Sequence, residues 1–156
     1  MNILLVGACG VGKTWVMNQV LQNNTLWPGK IGKFKFHYND SIVVLGVYDG
    51  STFQGSDRLS MSVLTDLDKF LAWSRNKTII CEGDRFTNST FINKAHPFII
   101  KIKGDGEAGR KIRGSKQTER HIKSIATRVS NIKENIVKND SEEAYSFIKT
   151  LIEDDK

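Results

Sequence analysis

"NILLVGACGVGKT", residues 2 to 14, decides how the rest of the chain is read. Its first five residues are apolar apart from Asn2 and stop at a glycine, the pattern of a strand buried on both faces of a parallel sheet. The next eight, "GACGVGKT", fit G-x-x-x-x-G-K-[ST]. A strand before such a loop and a helix after it bring backbone N–H groups and a helix N-terminus onto one anion. Gly7, Gly10 and Gly12 permit a close backbone approach that side chains would block. Lys13 is expected to reach the β- and γ-phosphates of a nucleoside triphosphate, and the Thr14 hydroxyl to hold Mg²⁺. The expected nucleotide-binding segment is therefore Gly7, Cys9, Gly10, Val11, Gly12, Lys13, Thr14 and Trp15, with ATP and Mg²⁺ as ligands. Cys9 needs only to be small and uncharged there.

Outward from this stretch, "KTWVMNQVLQN" spaces Trp15, Val16, Val20 and Leu21 as a helix, and "NNTLWPGK" breaks it with Asn, Pro and Gly. "KIGKFKFHY" and "IVVLGVY" read as a hairpin. "LSMSVLTDLDKFLAWSRN" places Leu59, Val63, Leu64, Leu67, Phe70 and Leu71 on one helical face. "KTIICEGD" is a further buried strand, "RFTNSTFINKA" a short helix or turn, and "HPFIIKIKG" another strand. Residues 105 to 116, rich in Gly, Lys and Arg, predict a loop. A long helix is expected from Gln117 to about Lys138, striped by Ile122, Ile125, Val129, Ile132 and Ile136, and a last one from Glu142 to Glu153. Alternating strands and helices predict an α/β three-layer sandwich with a mainly parallel central sheet. Residues 1 to 156 form one domain in this reading.

At 156 residues, a single domain buries roughly two-thirds of the surface its unfolded chain would expose. Two cysteines far apart, Cys9 and Cys81, build no disulfide framework, and the start does not read as a signal peptide. A reducing cytoplasm is the expected setting. No apolar run approaches the ~20 residues that cross a bilayer, so no membrane partner is expected. The net charge of +6 is unevenly spread: residues 101 to 138 carry +7 and residues 139 to 156 carry −4. Such a basic block suits a surface that faces phosphates.

Absences narrow the nucleotide chemistry. Asn76-Lys77 and Asn93-Lys94 are followed by Thr78-Ile79 and Ala95-His96, so the N-K-x-D pattern of guanine recognition is missing, as is a D-x-x-G switch. His37, His96 and His121 show no ligand spacing with each other or with the cysteines. A short chain with a basic segment near its end and a second polar loop has the layout of a small kinase. That second loop is "VYDGSTFQGSDRLS", residues 47 to 60. Asp49 and Asp57 are its candidates for the base that takes the acceptor proton; Asp57 also suits the N-cap of the next helix.

"TIICEGDR" ends a buried strand in Glu82, where charged groups face the ligand crevice of an open α/β sheet. Glu82 is the expected metal carboxylate, with Asp84 a competitor that alternatively caps or orients the following helix. The segment from about 104 to 120 is expected to act as a basic lid that brings positive charge and excludes water. Arg110 and Arg113 are its candidate nucleotide contacts, and Arg120 a candidate catalytic arginine with Arg128 beyond it; the choice among them stays open. Lys101, Lys116 and Lys123 attract phosphate as point charges or keep the surface soluble.

Taken together, "GACGVGKT", "LGVYDGSTFQGSDRLSM", "CEGDRF" and "QTERHIKSIATR" resemble the bacteriophage P-loop kinases that act on 5-hydroxymethyluracil in DNA. The resemblance touches most of the chain in scattered blocks. It implies transfer of the ATP γ-phosphate to the hydroxymethyl group of the base, DNA as acceptor partner, and the host cytoplasm as compartment. It also assigns Lys13 and Thr14 to nucleotide and metal, Asp49 or Asp57 to the acceptor, and Glu82, Asp84 and Arg85 to the edge of the active site. A base reached inside a duplex would be unstacked, with Tyr48 or Phe53 as an aromatic partner. The same loops would serve a kinase of a free nucleoside or nucleotide, and the basic block alone would serve an ATP-binding DNA accessory protein that transfers no phosphate.

Overall fold

The computed structural model describes residues 1–51, 54–114 and 117–155, and of residue 113 the backbone alone. Its centre is a run of strands apolar on both faces: β1 (Asn2–Val6), β4 (Ile42–Leu45), β5 (Thr78–Glu82) and β6 (Phe98–Ile102). Ile3, Leu5, Val44, Ile80 and Ile100 point to one side and pack on α1 (Lys13–Gln22) and α6 (Ser141–Asp154). Leu4, Val6, Val43, Leu45, Ile79, Cys81 and Ile99 point to the other, against α2 (Leu67–Trp73), α3 (Ser89–Ala95) and the end of α5 (Glu119–Ser130). The molecule is thus an α/β sandwich of three layers, as alternation of strands and helices predicts.

The sheet has seven strands in the order β2-β3-β4-β5-β1-β6-β7, with β2 (Trp27–Ile31), β3 (Phe34–Tyr38) and β7 (Ile136–Lys138) toward its edges. β4, β5, β1, β6 and β7 run parallel; β2 and β3 are antiparallel additions. The chain leaves β1 toward β4 on one side, returns through β5, and then crosses to β6 on the other side of β1. Such a reversal opens a crevice at the carboxyl ends of the central strands.

Four sequence expectations need correction. Trp27, Pro28 and Gly29, read as part of a helix-breaking stretch, belong to β2: its Pro and Gly are tolerated because it is an edge strand paired with β3. The helix expected from Leu59 begins as α2 only at Leu67. Ser62 N donates to Ser60 Oγ at 3.3 Å and Thr65 Oγ1 donates to Ser62 O at 2.9 Å, local bonds that compete with a helical ladder. The loop over 105–116 contains a helix instead, α4 (Glu107–Arg113), bounded by the left-handed Gly106 and Gly114. Finally, the long helix stops at Ser130. Asn135 accepts from Ile99 N at 2.7 Å and donates its own N–H to Ile99 O at 2.9 Å, and this drives Ile136 into β7 beside β6.

Candidate functional site

The 7–14 loop leaves the carboxyl end of β1, at the centre of the sheet, and enters α1 at Lys13. Gly10 (φ 91°) and Gly12 (φ 102°) hold left-handed conformations that side chains resist. The Lys13 ammonium folds back and donates to Gly7 O at 2.7 Å and Ala8 O at 2.9 Å, so its charge sits over the loop. Thr14 follows on the first turn of α1, half-buried, and Val11 packs at the edge of the core. Trp15 is exposed and stands edge-on to Tyr145 of α6, with ring centroids 6.2 Å apart.

Two other elements close on this loop. The start of α6 lies against Gly12, where a Cβ would meet the Ser141 side chain at 2.8 Å. From the other direction, α4 rests directly on backbone. Cβ atoms added to Gly106 or Gly109 would overlap the carbonyls of Cys9 and Gly10, and one added to Gly10 would overlap Gly106 O. Arg110 reinforces the contact, its Nη1 donating to Cys9 O at 2.7 Å and to Asp105 O at 2.5 Å. The expected phosphate contact therefore holds loop carbonyls in this conformation. The spaced glycines of "GDGEAG" were the signal that this segment approaches another backbone.

Parallel register places the carboxylate. Leu5 of β1 is level with Glu82 of β5, so Glu82 stands beside the point where β1 becomes the loop. It is buried, and burial raises its pKa; the Lys13 charge opposes that shift and the Asp57 charge adds to it. The Tyr48 phenol donates to Glu82 Oε1 at 3.0 Å, and the Ser56 backbone N–H also bonds the carboxylate. Tyr48 is itself buried, its phenol pushed well up by burial and the neighbouring Glu82 charge. This corrects the expectation that Tyr48 stacks on a base: its ring lies inside the protein. Phe53, the other aromatic candidate, lies outside the described residues, as does Lys116.

The polar loop after β4 is closed at its base by Val47 and Gly55, which exchange hydrogen bonds of 3.1 and 2.6 Å. The two aspartates differ sharply in setting. Asp49 is exposed and paired with Arg58 at 2.7 Å, and it accepts from Ser51 N at 3.1 Å. The Arg58 guanidinium and these hydrogen bonds hold its carboxyl well below the usual range. Asp57, in the 3-10 turn Ser56–Arg58, lies within electrostatic reach of both Glu82 and Tyr48. It caps no helix: Gly55 precedes that turn, and the cap carries no side-chain bond.

Beyond β5, Asp84 Oδ1 forms an ion pair with Arg128 of α5. The cap of α3 is Asn88, which accepts from Phe91 N at 2.9 Å, so Asp84 does not cap it. Arg85 Nε reaches Leu59 O at 3.4 Å. Thr118 caps α5, leaving Arg120 and Lys123 exposed on its first turns, and of Arg113 only the helical backbone is described. Among the described residues, no three His, Cys, Asp or Glu side chains converge as metal ligands. A lone buried carboxylate near a threonine-bearing loop suits Mg²⁺, which is ordinarily bound by one or two carboxylates together with substrate phosphates.

No helix among the described residues is long and apolar enough to cross a membrane. Comparison with family models, with curated proteins and with solved structures finds no match to this chain.

Proposed function

We propose that the protein is an ATP-dependent kinase that phosphorylates the hydroxymethyl group of 5-hydroxymethyluracil in DNA. The observation that carries the kinase reading is the placement of Glu82. One buried carboxylate stands beside a glycine-bent loop that launches a helix at a lysine, and it is bonded to the second polar loop as well. A nucleotide sensor needs the first half of that arrangement, while a phosphotransferase uses both.

In this reading Lys13 releases the carbonyls of Gly7 and Ala8 and takes the β- and γ-phosphates, while backbone N–H groups of the 7–14 loop surround them. Thr14 and Glu82 hold Mg²⁺, which when bound neutralises phosphate charge. Asp57 accepts the acceptor proton, since it lies within electrostatic reach of Glu82 and, among the described residues, carries no guanidinium clasp like the one that holds Asp49. The acceptor oxygen bonds to the γ-phosphorus as the bond to the β,γ-bridging oxygen breaks, and that electron pair leaves with ADP. Little covalent chemistry falls to the protein, so positioning supplies most of the rate.

DNA as acceptor rests on the sequence resemblance and on α5, whose exposed face carries Arg120, Lys123 and Arg128. Neutralised backbone phosphates would make binding weaken steeply with salt. The test offers γ-labelled ATP with Mg²⁺ to duplex DNA containing 5-hydroxymethyluracil, to the same duplex with thymine, and to free hydroxymethyl-deoxyuridine monophosphate. Label is expected on the modified duplex alone. Label on the free nucleotide alone would replace this reading by a nucleotide kinase, and nucleotide binding without transfer to any acceptor would leave an ATP-binding accessory protein.

A further inference from the structure

Glu82 is held from two directions, and both belong to the same loop. Tyr48 opens the loop and donates its phenol to Oε1 at 3.0 Å; Ser56, just past the loop's closing residue Gly55, donates its backbone N–H. Gly55 makes room between them. A Cβ there would stand 2.8 Å from Glu82 Oε1 and 3.4 Å from the Tyr48 ring. The Tyr48 backbone is fixed in turn, its N–H directed to His37 Nε2 of β3 at 3.4 Å. No group in this chain of contacts is exposed: Tyr48 and Glu82 retain 8% and 5% of their accessible surface. Buried polar bonds of this kind fix one geometry, because breaking them strands a desolvated group.

We propose that Tyr48 is a positioning residue for the nucleotide's cation: its phenol orients Glu82 toward that cation and ties the 47–55 loop to the same carboxylate. Cation binding is then coupled to the seating of Tyr48 and Ser56 on Glu82. This rests on the kinase reading above for the identity of the ligand, and it adds a coupling that the reading does not require. Partners that orient a metal-binding group typically carry ten- to a hundredfold of metal affinity or activity.

The test is calorimetric titration of the full chain with a non-hydrolysable ATP analogue, with and without Mg²⁺. In Tyr48→Phe, Mg²⁺-free affinity should match the wild type, while the gain in affinity on adding Mg²⁺ should shrink about tenfold. Gly55→Ala, whose methyl would crowd Oε1 beside the Tyr48 phenol, should reproduce that selective loss. Melting curves monitor folding of both variants, and for each the affinity with and without Mg²⁺ is taken on the folded protein. A Tyr48→Phe protein that keeps the full Mg²⁺-dependent gain overturns the positioning role alone. Equal weakening with and without Mg²⁺ also overturns it, since that is the mark of a merely structural residue. A wild-type chain that binds no nucleotide under either condition overturns the kinase reading and the coupling together.

Discussion

The two polar loops at the carboxyl edge of the sheet are built by opposite means. The 7–14 loop is held by backbone: glycines in left-handed conformations, carbonyls clasped by Lys13 and Arg110, and α4 seated on Gly10 without an intervening side chain. The 47–55 loop is closed at its base by the Val47–Gly55 backbone pair but is anchored by side chains, through the Tyr48–Glu82 bond at one end and the Asp49–Arg58 pair on its exposed flank. A backbone-built loop presents donors of fixed geometry to any phosphate, whereas a side-chain-anchored loop depends on residues drawn from β3 and β5. Damage to the first should therefore act on nucleotide binding, and damage to the second on transfer.

The largest effect expected from this contrast is at Lys13. Lys13→Ala removes the charge that in the kinase reading follows the γ-phosphate, and transfer should fall by about 10³-fold, the scale of losing a principal transition-state donor. Label-transfer rates measure it directly. A melting curve of the variant separates lost transfer from lost folding.

Next come the aspartates, where the 47–60 stretch should separate into two functions. Asp57→Asn should lower transfer by about 10²-fold, within the range for loss of a general base. Asp49→Asn should change it by no more than about threefold, because a carboxylate held well below the usual range by Arg58 is a poor proton acceptor near neutral pH. Nucleotide affinity should be unchanged in both. A reversed order of the two rates would move the base to Asp49 and break the assignment.

Backbone contact makes the third prediction. Ala is ordinarily a better helix residue than Gly by about 1 kcal/mol, so Gly109→Ala in an unattached helix would be stabilising. Here the added methyl would overlap Gly10 O. Thermal unfolding should show destabilisation of about 1–3 kcal/mol, as for overpacking, together with weaker nucleotide binding. A stabilised Gly109→Ala protein would mean that α4 does not rest on the 7–14 loop in solution.

The same contrast explains what could be read from the sequence. The 7–14 loop was legible because its conformation is local: a preceding apolar strand, the glycine spacing and the start of the following helix lie within thirteen residues. The layered sheet was legible for the same reason, since runs such as "IVVL" and "TIICE" bury both faces. Tyr48, His37 and Glu82 are distant in sequence, so their joining depends on strand order, and the periodicity of one strand carries no trace of its neighbour. Arg128 and Asp84 are likewise 44 positions apart, and their pairing depends on how α5 lies against the end of β5. Residues 131–138 failed differently: Ile132 and Ile136 keep a helical spacing, but β6 offers Asn135 a place in the sheet, and tertiary pairing wins over local pattern.

The smallest effect should be at His37, and its sign is fixed by burial. Desolvation lowers the imidazole pKa from its ordinary 6.5, and Nε2 accepts the Tyr48 N–H only as the neutral ring. The unfolded chain therefore takes up this proton first as pH falls. The contribution of the neutral ring is fully present above about 6.5 and declines as pH drops through the lower folded value. Melting temperature should fall modestly between pH 7 and about pH 5, offset in part by Glu82, whose burial-raised carboxyl takes up its proton first in the folded chain. His37→Gln, which offers a neutral acceptor at every pH, should flatten that part of the profile. Because His37 meets the 47–55 loop through Tyr48, the wild-type loss on acidification should appear as lower amide protection there, relative to the intrinsic exchange rate at each pH, while protection in the 7–14 loop stays unchanged. Equal loosening of both loops would show that the side-chain-built loop and the backbone-built loop open together, and the distinction drawn between them would fail.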